Sequence, residues 1–209
     1  MSCAICLTRR PRRSCPGVHG DICAICCGRE REVTVDCPFD CEYLREARKH
    51  ETPAEIDAAT LENPDIRVTE AFLESNAALM LAMGGVMLSA AVQTRSVDSD
   101  VREALASLIK TYRTLRRGVI YESVPANPLA ARVFRAIQET VDAYLQEETR
   151  SLGMTKTRDL DVLRALVFFE RLALANNNGR PRSRAFLDVL RMLSEPKPAA
   201  NAAPSLILP

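Results

Sequence analysis

At 209 residues, 47% apolar and 26% charged, the chain has the balance of a soluble globular protein. It is long enough for one substantial core, or for a small module plus one ordinary domain. A net charge of +1 excludes a global field for nucleic acid or membranes, so any such partner has to be met by a local patch.

In chain order, residues 1–50 come first, rich in cysteine, arginine and turn residues. All eight cysteines lie between Cys3 and Cys41, and none occurs in the remaining 168 residues. The N-terminus carries no apolar leader segment. Without export, clustered cysteines are metal ligands rather than disulfides, and a cytoplasmic location is expected. The spacing runs Cys3-x2-Cys6, Cys15, Cys23-x2-Cys26-Cys27 and Cys37-x3-Cys41. A Cys-x2-Cys pair places two thiolates on one tight turn, within reach of one tetrahedral zinc at Zn–S of about 2.3 Å.

Two such pairs plus four further cysteines divide into two interleaved zinc sites. Cys3, Cys6, Cys23 and Cys26 form the first, and Cys15, Cys27, Cys37 and Cys41 the second. Adjacent Cys26 and Cys27 would serve different ions. His19 competes with Cys27 for the second site, since Cys15-x3-His19 is also acceptable metal spacing. All-thiolate sites are closed, which favours a structural role in a segment too short to bury its own core. Iron–sulfur ligation and thiol redox sensing are the lesser alternatives. Within the same segment, Arg9, Arg10, Arg12 and Arg13 make a basic loop between Cys6 and Cys15 that suits phosphate contact. Against this, residues 1–50 hold nine Lys/Arg and seven Asp/Glu, with only Phe39 and Tyr43 for base stacking. Glu32–Asp36 is the one run that alternates with the period of a strand, and helical periodicity begins at Glu42.

Residues 51–194 read as consecutive helices. Thr52-Pro53-Ala54-Glu55 is a capping box, and Asn63-Pro64 and Asn127-Pro128 open helices in the same way. Twenty uncharged residues lie between Glu74 and Arg95. Five of them are Ser75, Asn76, Ser89, Gln93 and Thr94, which leaves about 15 non-polar positions, short of the ~20 that a membrane span needs. The 65–94 stretch is therefore expected to be the central, all-round buried helix, with Gly84-Gly85 allowing close packing and a membrane span as the minor alternative. Val101, Leu105, Leu108, Tyr112, Leu115 and Val119 share a helical stripe, as do Leu129, Val133, Ile137, Val141 and Leu145, with Gly153 as a stop. Leu160, Leu163, Val167 and Leu174 form another, and Phe186, Leu190 and Leu193 line a last short helix. Residues 195–209 are a Pro/Ala tail expected to be disordered.

Cys3-Ala4-Ile5-Cys6, Ile22 to Val33 and Asp36 to Leu44 resemble the N-terminal module of a group of uncharacterised bacterial proteins that pair a double cysteine-knuckle with a helical C-terminal region. The interleaved ligand order is also similar to cross-brace modules of the MYND, B-box and HIT-finger kind, although those usually end in histidine ligands where this chain has Cys37 and Cys41. The resemblance to cross-brace modules implies protein–protein contacts.

The fold expected is mainly α: a zinc-stabilised module (1–50), an all-α helical bundle (51–194) and a tail (195–209). The catalytic inventory is thin. Two histidines are present, His50 reads as a water-facing helix terminus, and no nucleophile elbow or paired-carboxylate motif occurs. The expected function is a non-enzymatic zinc scaffold docking a protein partner, with homo-oligomerisation through the bundle open. The alternatives are a nucleic-acid-binding regulator using Arg9–Arg13 and a thiol- or metal-responsive sensor.

Overall fold

The computed structural model describes residues 2–52 and 62–194. The expected tail 195–209 and the capping box that continues from Thr52 lie outside these residues. Among those described, the chain is mainly α. Its order is β1 (Arg13–Cys15), β2 (Gly20–Ile22), α1 (Ala24–Glu30), α2 (Glu42–Arg48), α3 (Glu70–Ser75), α4 (Ala77–Thr94), α5 (Asp98–Leu115), α6 (Pro128–Leu152), α7 (Asp159–Ala175) and α8 (Ala185–Ser194).

The N-terminal part departs from expectation in one respect. Glu32–Asp36 is a turn, not a strand, and carries only an isolated bridge between Arg31 and Val35. Glu32 adopts φ of 54°, and the N–H groups of Val33, Thr34 and Val35 all donate to the Glu30 carbonyl. A left-handed residue at the start of the run breaks the extended path that Val33-Thr34-Val35 suggested. The sheet lies earlier, where β1 and β2 pair antiparallel with Arg13 opposite Ile22 and Cys15 opposite Gly20. Gly17, in the hairpin loop, lies on the 35–36 backbone: a Cβ there would stand 2.6 Å from the Asp36 carbonyl oxygen. Ile22, Val35 and Leu44 join six buried cysteines in a small core of their own.

In the helical part, α5 lies between α6 and α7, while α4 packs on α6 and α8. The stripes on α5, α6 and α7 face the core: Val101, Leu105, Leu108, Val133, Ile137, Val141, Leu163 and Val167 are all buried. Asn127 caps α6 by accepting from Leu129 N–H at 2.9 Å, with Pro128 in the first turn. Gly153 ends that helix at φ of 74°.

Several expectations are corrected. The single 65–94 helix is two, α3 and α4, meeting at Asn76. Asn63-Pro64 opens no helix. Asn63 instead accepts from Arg113 Nε and donates to the Glu170 carboxylate, tying a turn to α5 and α7. Nor is α4 buried all round. Leu79, Met83, Met87 and Ala91 face the core, but Leu81 is 66% and Val92 55% exposed. A helix apolar on every face carries no directional signal, so its composition could not distinguish a central position from a lateral one. Gly84 does allow close packing, under the Phe169 ring, whereas Gly85 faces open space. Leu115, Val119 and Leu193, placed on core stripes, are exposed: Val119 lies beyond the end of α5, and Leu115 and Leu193 lie in the last turns of α5 and α8.

Candidate metal centre

The first cysteine set is assembled by two short turns carrying the same tetrapeptide, Cys-Ala-Ile-Cys. The first turn is closed by Leu7 N–H donating to the Cys3 carbonyl at 2.8 Å, and is held to β2 by Ala4 N–H donating to the Asp21 carbonyl at 2.9 Å. The second follows β2 directly, with Cys23 at the N-terminal cap of α1. The sulfurs of Cys3, Cys6, Cys23 and Cys26 all lie within 4.8 Å of one another. Tetrahedral Zn–S bonds of about 2.3 Å put sulfurs roughly 3.8 Å apart, so the set needs little contraction to close on an ion.

Hydrogen bonds aim at these sulfurs. Cys23 N–H donates to the Cys3 sulfur at 3.2 Å, Cys26 N–H to the Cys23 sulfur at 3.4 Å, and the Thr8 hydroxyl to the Cys6 sulfur at 3.3 Å. The Thr8 hydroxyl, helped by backbone N–H groups, lowers the Cys6 thiol to about 5. Burial, reinforced by the neighbouring thiols, pushes Cys26 up to about 12. One thiol therefore ionises readily and another resists, because four sulfurs this close cannot all be anionic without a cation among them. The donor set suits a thiophilic, tetrahedral metal ion.

The second set comes from four separate places. Cys15 ends β1, Cys27 lies in α1, Cys37 follows the 28–36 ribbon, and Cys41 caps α2. All four line one cavity with a free volume of about 10 Å³, beside Arg13 and Tyr43. Burial, with Cys41 and Cys15 among the nearby charges, raises the Cys37 thiol to about 11. Among the described residues only the first set draws its sulfurs within 4.8 Å; the second is gathered but more open. His19, the competitor, is exposed in the hairpin loop with φ of 51° and does not line this cavity.

The basic loop is partly occupied by the cysteines. Arg13 donates to the Cys27 sulfur at 3.2 Å and stacks 4.5 Å over the Tyr43 ring. Arg9 is exposed, and the nearby Cys23 and Cys6 sulfurs raise its pKa. Arg10 and Arg12 are exposed. One of the four arginines read as phosphate contacts, Arg13, is thus hydrogen-bonded to a cysteine sulfur instead. His50 is exposed, 3.8 Å from Glu46.

Sequence reasoning missed the polar joint between the cysteine module and the helices. Glu32 is fully buried. Its carboxylate accepts from Arg48 at 2.6 Å, from Asn178 at 3.0 Å and from Arg184 N–H at 3.0 Å. The signal was present in Arg180, Arg182 and Arg184, three arginines at alternate positions of one loop. No protein family, curated protein or solved structure matches the chain.

Proposed function

We propose that this is a non-enzymatic, cytoplasmic zinc protein whose N-terminal module holds two structural zinc ions and serves as a scaffold for a protein partner. Zinc is assigned over other thiophilic ions because the donors are four thiolates in a small, tetrahedral-capable cluster. The first ion is held by Cys3, Cys6, Cys23 and Cys26, and the second by Cys15, Cys27, Cys37 and Cys41. The observation that carries this reading is the convergence of the first four sulfurs within 4.8 Å. Eight thiolates complete both sites and leave no open position for substrate, so the metals brace the fold rather than react. The helical bundle supplies a second interface, toward a partner or a second copy. The nucleic-acid reading is weakened by Arg13, which is engaged with the Cys27 sulfur.

Metal analysis with free-thiol titration tests the assignment. Two zinc ions per chain and no reactive thiol are expected. One zinc with four reactive thiols refutes the second site, and iron in place of zinc refutes the metal. The scaffold role is checked by partner capture with the full chain and with Cys3→Ser; capture that survives loss of the first ion refutes it.

A further inference from the structure

The second cysteine cavity is built into the joint with the helical bundle, whereas the first is self-contained. The segment from Gly28 to Asp36, the last turn of α1 and the ribbon that follows it, runs between two of its donors, Cys27 and Cys37, and the α7–α8 loop grips it along its length. Arg180 donates to the carbonyls of Arg31 and Gly28. Arg182 N–H donates to the Glu32 carbonyl at 2.9 Å. Arg184, 7% exposed, reaches both units with one guanidinium. It donates to Asp36 at 2.5 Å and to the Cys37 carbonyl at 3.1 Å on one side. On the other it donates to the carbonyls of Ser96 and Arg95, both at 3.3 Å.

The joint continues beyond Arg184. Arg48, at the end of α2, bridges Glu32 at 2.6 Å and Asp188 of α8 at 2.6 Å. Phe39, between Cys37 and Cys41, packs against the core of the bundle. Asp98 of α5 anchors the gripping loop by accepting from the Ser183 hydroxyl at 2.7 Å and from Phe186 and Leu187 N–H. Among the described residues the first set meets the bundle only at second hand, through the Gly28 carbonyl of α1 that Arg180 contacts, and none of its four cysteines is itself hydrogen-bonded to the helices of the bundle. Its four donors sit on two local turns that are joined through β2 and the residues before α1.

We infer that the second metal site and the bundle form a thermodynamically linked latch, in which an ion on Cys15, Cys27, Cys37 and Cys41 fixes the ribbon in the shape that Arg180, Arg182 and Arg184 grip. This rests on the two-ion reading proposed above. Linkage is reciprocal: if the ion strengthens docking, docking strengthens ion binding by the same factor. The affinity of the second ion is therefore set by residues that never touch it, Arg184 and Glu32 foremost. The first ion is insensitive to both.

Zinc titration of the metal-free, reduced full chain against a chromophoric chelator reads both affinities. Two binding steps are expected in the wild type. In Arg184→Gln and Glu32→Gln the weaker step falls at least tenfold, while the tighter step stays within about twofold. Hydrogen exchange of the wild type supplies a readout that needs no variant. Amides of residues 176–190 gain protection with the second equivalent of zinc and not with the first. Two steps in the wild type with neither moved in the variants overturns the latch and leaves the two-ion reading standing. Protection of 176–190 by the first equivalent, or by neither, also overturns it. A single step in the wild type removes the second ion, and the latch with it.

Discussion

Glu170 offers a stability test independent of the metals. It lies on α7, 4% exposed, and its carboxylate accepts from Asn63 Nδ2 at 2.7 Å. Burial, with Glu62 adding like charge, raises its pKa from the ordinary 4.5 to about 7. The folded state thus binds a proton that the unfolded state releases between these values. The native state holds more protons in that window, so stability falls as pH rises through it. At about 1.4 kcal/mol per pKa unit, the full penalty is ~3 kcal/mol, present above pH ~7 and fading toward pH ~4.5. Glu170→Gln keeps an oxygen for Asn63 and removes the charge. It should be more stable than wild type near pH 8, by ~2 kcal/mol once the lost charge-assisted bond is deducted. The variant-minus-wild-type difference should fall by roughly 2.5 kcal/mol on going to about pH 5, which removes the advantage. Urea unfolding of both proteins at the two pH values measures it. Comparing variant with wild type cancels the thiol protonation that both share. A variant-minus-wild-type difference that does not change with pH would refute the burial argument.

Three further predictions concern packing and caps. Gly17→Ala places a Cβ 2.6 Å from the Asp36 carbonyl and the Val35 side chain. It should destabilise by about 1–3 kcal/mol, and it should weaken the second metal step and not the first, by the chelator titration. On α4, Met83→Ala should lose about 2–5 kcal/mol because its side chain is fully buried, whereas Leu81→Gln should change stability by under ~0.5 kcal/mol. Equal losses at the two positions would mean that α4 is enclosed on all sides. Asn127→Ala removes the side-chain oxygen that caps α6 and should lower stability by about 1 kcal/mol in thermal melts.

Most of the helical part was legible because its helices are amphipathic. Val133, Ile137 and Val141 recur at helical spacing and are buried, and the Asn127-Pro128 start and Gly153 stop are local chemistry that tertiary contacts leave alone. Asn63-Pro64 reads the same way in sequence, but Asn63 is claimed by Arg113 and Glu170, partners 50 and 107 residues away. No local pattern carries that information. The first four cysteines were legible as a set, since two Cys-x2-Cys turns each specify their own geometry. The hairpin was not. Its strands are three residues each, too short for an alternating pattern, and its loop packs through Gly17 on the 35–36 backbone, well outside the hairpin.

The same distinction separates the two cysteine sets. A Cys-x2-Cys turn pre-organises a pair of donors from within four residues, so the first set needs only two turns brought face to face by β2. The second set has no such pair. Its donors come from the end of a strand, the middle of a helix, the end of a ribbon and a helix cap, and each loop between them must be held by something else. One loop, Pro16–His19, is held by Gly17 against Asp36. Another, Gly28–Asp36, is held by Glu32 and the arginines of the α7–α8 loop. A buried carboxylate with a left-handed backbone is costly to place, and here it accepts from Arg48, Asn178 and the Arg184 amide at once. Geometry that the spacing of these four cysteines alone leaves undefined is supplied by contacts with the bundle.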